Sequence, residues 1–95
     1  MVKNVPLAEV VAFDTKKKTL SYEVILRFDG NKPVYKKDSK GKRISHPVTY
    51  DSKVVEKWLV DNQRSIGFGL SVALRLDDNL VTNITIVKRG LETGI

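Results

Sequence analysis

The sequence contains no cysteine, which excludes disulfides, thiolate metal sites and redox chemistry at sulfur. It contains a single histidine, His46, followed by Pro47. Triads, metal sites and proton shuttles need partners for such a residue, and the carboxylates of this chain are scattered singly on alternating faces. His46 therefore reads as a structural side chain. No stretch approaches the roughly 18 uninterrupted apolar residues that a membrane span needs. The opening "MVKNVPLAEV" lacks a long apolar run followed by a small-residue cleavage site, so no signal peptide is expected. Without one, the glycosylation-type triplet at Asn83 reads as a polar strand segment. "GFG" at 67–69 lacks the further glycine and the Lys-Ser/Thr of a nucleotide cradle, and reads as a tight entry into a strand. These absences leave enzyme as the poorest class and predict no cofactor, no metal and no membrane. The expected location is the cytoplasm, or the host cytoplasm for a protein of viral or plasmid origin.

What is present is basic charge, unevenly placed. The chain of 95 residues carries +6 overall. Residues 16–43 hold ten Lys/Arg against Glu23, Asp29 and Asp38, a net of +7, and the remaining residues come to −1. The excess is densest in "NKPVYKKDSKGKRISHP", 31–47, where six cations face Asp38 alone. A basic surface of this kind attracts nucleic acid or anionic membrane, and it raises encounter rates without specifying a fold. The bland alternative is a lysine-rich hairpin that blunts a sheet edge, with its turn at Ser39–Gly41.

With 41% apolar residues and seven aromatics, the chain has enough material for one modest core and one domain. "TLSYEVILRF" alternates strictly: Leu20, Tyr22, Val24, Leu26 and Phe28 fall on one face of a strand. "FGLSVALRLD" repeats the pattern with Phe68, Leu70, Val72, Leu74 and Leu76. The turn residues Asp77-Asp78-Asn79 then join strands 68–77 and 80–89 as a hairpin. "VPLAEVVAF" is apolar on both faces, with Glu9 interrupting one of them, which suggests a curved or bulged strand. "DTKKK" links it to the strand that starts at Thr19. "ISHPVTY" reads as a shorter strand with Ile44, Val48 and Tyr50 on one face, and Pro47 favours a sheet edge. Between 50 and 67 the pattern is helical. Asp51 or Ser52 caps it, Val54, Val55, Trp58 and Leu59 form its apolar stripe, and Gly67 closes it.

The expected fold class is mainly β with one helix, in the order β-β-β-α-β-β, with a core over about 5–89. The basic hairpin spans 31–47, and a short C-terminal tail at 90–95 is expected to fray. In order and length of elements, though in no sequence motif, residues 5–89 resemble an OB-fold, a small partly open five-stranded barrel with its helix between strands three and four. A β-grasp-like α+β fold is the alternative if 44–50 is loop. The resemblance implies single-stranded nucleic acid, DNA or RNA, bound across strands two and three and the loops after strands one and four. Here the loop after strand one carries Lys16, Lys17 and Lys18, and the strand two–three connection carries Lys32, Tyr35, Lys36, Lys37, Lys40, Lys42 and Arg43. Arg27 on the second strand completes the candidate interface. The loop after strand four is acidic and departs from that pattern. By parity Tyr22 and Phe28 are core, which leaves Tyr35 as the exposed aromatic available for stacking. The competing class is a small protein-interaction or inhibitor domain, such as a mobile element might encode, with the basic loop against an acidic partner. A homo-oligomer stays open in either class.

Overall fold

The computed structural model describes residues 1–88. Six strands and one helix follow in the order β1 (Val2–Asp14), β2 (Thr19–Asp29), β3 (Lys32–Tyr35), β4 (Ser45–Tyr50), α1 (Ser52–Asp61), β5 (Ser71–Asp77) and β6 (Leu80–Lys88). Five of the strands close a ring: β1 pairs with β2, β2 with β4, β4 with β6, β6 with β5, and β5 again with β1. Following partners around it leads from Asp14 through Thr19, Thr49, Leu80 and Asp77 back to β1 at Val2. That return, twelve positions upstream, is the stagger that a tilted barrel needs in order to close. The protein is mainly β with one helix, a small partly open barrel. The strand at 44–50 is present as β4, so the β-grasp alternative falls.

The opening lies between β4 and β6, which run parallel and meet only at Thr49–Leu80 and Tyr50–Val81. This explains Pro47, which sits inside the ring and not on the expected edge. Tyr50 donates its N–H to Lys18 O at 3.0 Å, and by alternation residues 48 and 46 also turn their nitrogens toward β2. The nitrogen of Pro47 therefore faces the unpaired part of the seam, where a missing N–H costs nothing.

β1 serves two neighbours at once, β5 along Val2–Glu9 and β2 along Ala8–Asp14, with register breaks between Val5 and Ala8 and between Val10 and Ala12. Those bulges reconcile its two apolar faces with one barrel interior, where Val5, Ala8 and Val10 lie buried. From β2, Leu20 and Tyr22 join them, as do Leu70, Val72, Leu74 and Leu76 from the β5 region. The alternation in β2 does not hold to its end. Leu26 is 56% exposed, Phe28 is half-buried, and Ile25 on the opposite face is buried. The reason is topological. Pairing with β1 stops at Ala8–Val24, and beyond it β2 leaves the barrel as a two-stranded ribbon with β3, a strand absent from the expected order.

Asp51 caps α1, accepting from Lys53 N at 3.0 Å, and the helix ends at Asp61 with Asn62 as its C-cap. Gly67 lies farther on, in a turn over 62–69, and does not close the helix. The buried stripe is narrower than expected. Val55 and Leu59, one turn apart, are fully buried, Trp58 packs partly against the core, and Val54 is 56% exposed. The β5–β6 hairpin turns at Asp78 and Asn79, both at positive φ, as a two-residue connection requires. Phe68 falls before β5, in the turn, and is not part of the expected inward face. Residue 89 and the tail at 90–95 lie outside the described residues.

Candidate nucleic-acid interface

The predicted cations occupy three stations along β2. At its start is the tight turn of residues 15–18. Asp14 Oδ1 holds this turn by accepting from Lys16 N at 2.8 Å and Lys17 N at 3.2 Å. Lys18 adopts a positive φ of 57° and sends its ammonium to Glu56 on α1 at 2.6 Å. Tyr50 donates to the same carboxylate at 2.9 Å. The hydrogen bonds from Lys18 and Tyr50 hold the Glu56 carboxyl below the usual carboxylate range. Burial, aided by Glu56, pushes the Tyr50 phenol up to about 12. Lys18 is thus a tie between loop and helix, while Lys16 and Lys17 are exposed and have no carboxylate partner among the described residues.

The second station, halfway along β2, is the basic hairpin. Lys36 N bonds Val24 O at 2.9 Å, and the chain then leaves the sheet, bridges Lys37 to Arg43, and returns as β4. Asp38 organises the tip. Its carboxylate accepts from Lys40 N at 2.9 Å and Lys42 N at 3.0 Å, and Gly41 takes the positive φ of 82° that the turn requires. The one acid among the lysines is therefore committed to backbone groups. Lys36, Lys37, Lys40 and Lys42 are exposed, and none forms an ion pair among the described residues.

Arg43 differs from these lysines. Its guanidinium bonds Glu23 through Nε at 2.7 Å and also through Nη2, and it lies 3.7 Å above the centre of the Tyr35 ring. Tyr35, expected as a free stacking platform, is instead half-buried. Arg43 covers its ring, and its hydroxyl donates to Glu9 Oε1. Burial and the bond to Glu9 raise its pKa well above the ordinary tyrosine range. An aromatic residue at the root of a lysine hairpin looks exposed in a linear reading. Here β3 pairs Tyr35 with Ile25 and lays the ring across the outside of β2 toward β1. The third station is the ribbon, which carries exposed Arg27 and Lys32.

β2 spans eleven residues, about 35 Å, so these cations form a stripe rather than one cluster. The structure brings Tyr35 and Arg43 together and leaves the Lys16–Lys18 turn about five residues, roughly 17 Å, from Glu23 at the hairpin root. A shallow groove of about 150 Å³, lined by Ala12, Phe13, Asp14, Thr19, Leu20 and Ser21, lies beside that turn. It is well below the roughly 300–1,000 Å³ of ligand pockets.

Linear reading missed the acidic residues that anchor the hairpin. Glu9 points outward from β1 and is nonetheless only 2% exposed. Its carboxylate is shared between Tyr35 and the Gly69 N–H, the latter at 3.0 Å. The interruption of an apolar face by Glu9 was the available signal, but a partner sixty residues away carries no local trace. Beside Glu9 across the β1–β5 pairing, Ser71 Oγ is buried and has no partner among the described residues. His46 stacks on Tyr22 with ring centres 5.0 Å apart. Among the described residues no three His, Cys, Asp or Glu side chains gather as a metal site would need, and no helix is long and apolar enough to cross a membrane. No family model, curated protein or solved structure matches the chain.

Proposed function

We propose that this protein is a non-enzymatic nucleic-acid-binding module that holds a single strand, DNA or RNA, by its phosphates. The observation carrying this reading is the set of exposed lysines along β2 that have no ionic partner among the described residues: Lys16 and Lys17 in the first turn, and Lys36, Lys37, Lys40 and Lys42 on the hairpin. Arg27 and Lys32 extend the stripe along the ribbon. Lys18 and Arg43 act from behind it, as supports for the loop and the hairpin root. The ring order, with the helix between the third and fourth ring strands, supports an OB-like reading in which β2 and β4 present the binding face.

Binding through phosphates releases counterions, so affinity falls with salt by about 0.7 logarithmic units per neutralised phosphate on a single strand. Six free lysines set a slope of roughly −4. The test is a titration of labelled single-stranded and duplex DNA and RNA at several salt concentrations, for the parent and for a variant with Lys36, Lys37, Lys40 and Lys42 exchanged for serine. The variant should keep its stability within about 0.5 kcal/mol, as exposed sites do, and lose most of its affinity and slope. A folded variant that binds as tightly as the parent overturns the proposal. If the basic stripe instead serves an acidic protein partner, excess oligonucleotide will leave that complex intact.

A further inference from the structure

Six of the seven aromatic rings are engaged within the fold. Phe13, Tyr22, Tyr50 and Trp58 pack in or against the core, Tyr35 lies beneath Arg43, and Phe28 receives the Lys88 ammonium 4.4 Å from its centre. Phe68 is the exception, at 67% exposure. Its exposure is not that of a loose loop. The Phe68 N–H donates to Ser65 O at 3.1 Å, and the next N–H, of Gly69, donates to the buried Glu9 carboxylate. Gly67 and Gly69 on either side take φ of 87° and 92°, a backbone that side-chain-bearing residues rarely adopt. A Cβ at Gly67 would meet Val11 O only at 3.8 Å, so the glycine is required by the turn and not by crowding. The turn is thus pinned at both ends and bends so that Phe68 projects away from the core.

The place where it projects gives the exposure its meaning. Glu9 faces the outside of the barrel, and the carboxylate that holds the Gly69 N–H also accepts from Tyr35, whose ring lies under Arg43 at the hairpin root. An unbroken chain of contacts therefore joins the phenylalanine turn to the root of the lysine hairpin on one outer face. A phosphate chain held by that hairpin places its bases toward neighbouring surface, and an exposed aromatic ring carried on a hydrogen-bonded turn offers a π-face that any base can stack on.

Building on the phosphate-binding reading, we infer that Phe68 stacks an unpaired nucleobase of the bound strand and so supplies the preference for single strands over duplex. Bases locked in a duplex stack present no free face to it. Phe68 belongs to no strand of the barrel, and its role is independent of the lysines that hold the backbone.

The experiment compares two fluorescein-labelled probes of equal length at low salt: an oligothymidylate and a chain of abasic sugar-phosphates. They are titrated against the parent, Phe68→Ala and Phe68→Tyr, with melting curves to check each fold. Phe68→Ala should weaken oligothymidylate binding about tenfold, within the range found when stacking aromatics are truncated. It should leave the abasic probe unchanged, and Phe68→Tyr should restore parental affinity for both. Equal losses on the two probes, or no loss on either, overturn the inference and leave the phosphate reading standing. Failure of the parent to bind either probe overturns both.

Discussion

Two valines one position apart on α1 have opposite surroundings. Val55 is fully buried and Val54 faces water, because a helix turns each residue about 100° from the last and the barrel covers only a narrow sector. Leu59, one turn after Val55, shares its burial. Leu59→Ala should cost about 2–5 kcal/mol, the range for truncated core leucines, and Val54→Ala less than about 0.5 kcal/mol. Urea unfolding of both variants measures this, and comparable losses would contradict the helix orientation. At the same scale, Tyr35 and Arg43 illustrate how a side chain that looks available becomes structural. Each has a carboxylate partner contributed by a different strand, Glu9 from β1 and Glu23 from β2.

Three aspartates organise the backbone where elements and loops meet. Asp14 and Asp38 turn their carboxylates onto the backbone of the loops that follow, and Asp51 does so at the start of α1. Because no acidic residue lies in the first turn of α1 to share the task, Asp51 carries the N-terminal capping alone. Asp51→Ala should therefore lower stability by about 0.5–2 kcal/mol, the usual cost of losing such a cap, while Asp51→Ser or Asn should recover most of it. Thermal unfolding of the three variants decides between capping and a merely surface charge, since the latter would show no recovery with serine. The basic hairpin is organised by the same device. Asp38 satisfies its own loop, and in doing so leaves the four lysines around it without an ionic partner among the described residues.

For the molecule as a whole, closure of the ring and the docking of β3 on β2 have a consequence for all three tyrosines. Tyr22, Tyr35 and Tyr50 are each raised above the ordinary value of 10, with burial the largest cause; for Tyr35 the bond to Glu9 adds to it, and for Tyr50 the bond to Glu56. A phenol raised on folding contributes stability that is fully present below the unfolded pKa and is lost as pH climbs through the folded one. For Tyr50 that window runs from 10 to about 12. Tyrosinate absorbance should consequently show no step near pH 10 in the native protein. It should rise at higher pH together with the loss of circular dichroism. A full-amplitude transition at pH 10 in a folded protein would mean that the rings are exposed and the barrel reading is wrong.

Much of this was legible in the chain itself. Alternation in 19–24 and 70–76, the capping Asp51, the Asp78-Asn79 turn and the concentration of charge in 16–43 are local patterns, and local backbone sterics and side-chain periodicity suffice to interpret them. What they could not carry was decided by which strand lies next to which. The sequence pattern of β2 alternates to Phe28, yet Leu26 and Ile25 exchange burial because β1 stops covering the strand at Val24 and β3 takes its place. Pro47 sits safely inside the ring because the seam beside it is open. Glu9, Tyr35, Arg43 and Gly69 meet because the ring closes with a stagger that sets β1 against both β2 and β5, and a buried carboxylate there needs donors from wherever the fold can bring them. The periodicity of a strand records that it has two faces. Which face is covered, and by what, depends on contacts between residues far apart in sequence, and these exist only once the barrel has closed.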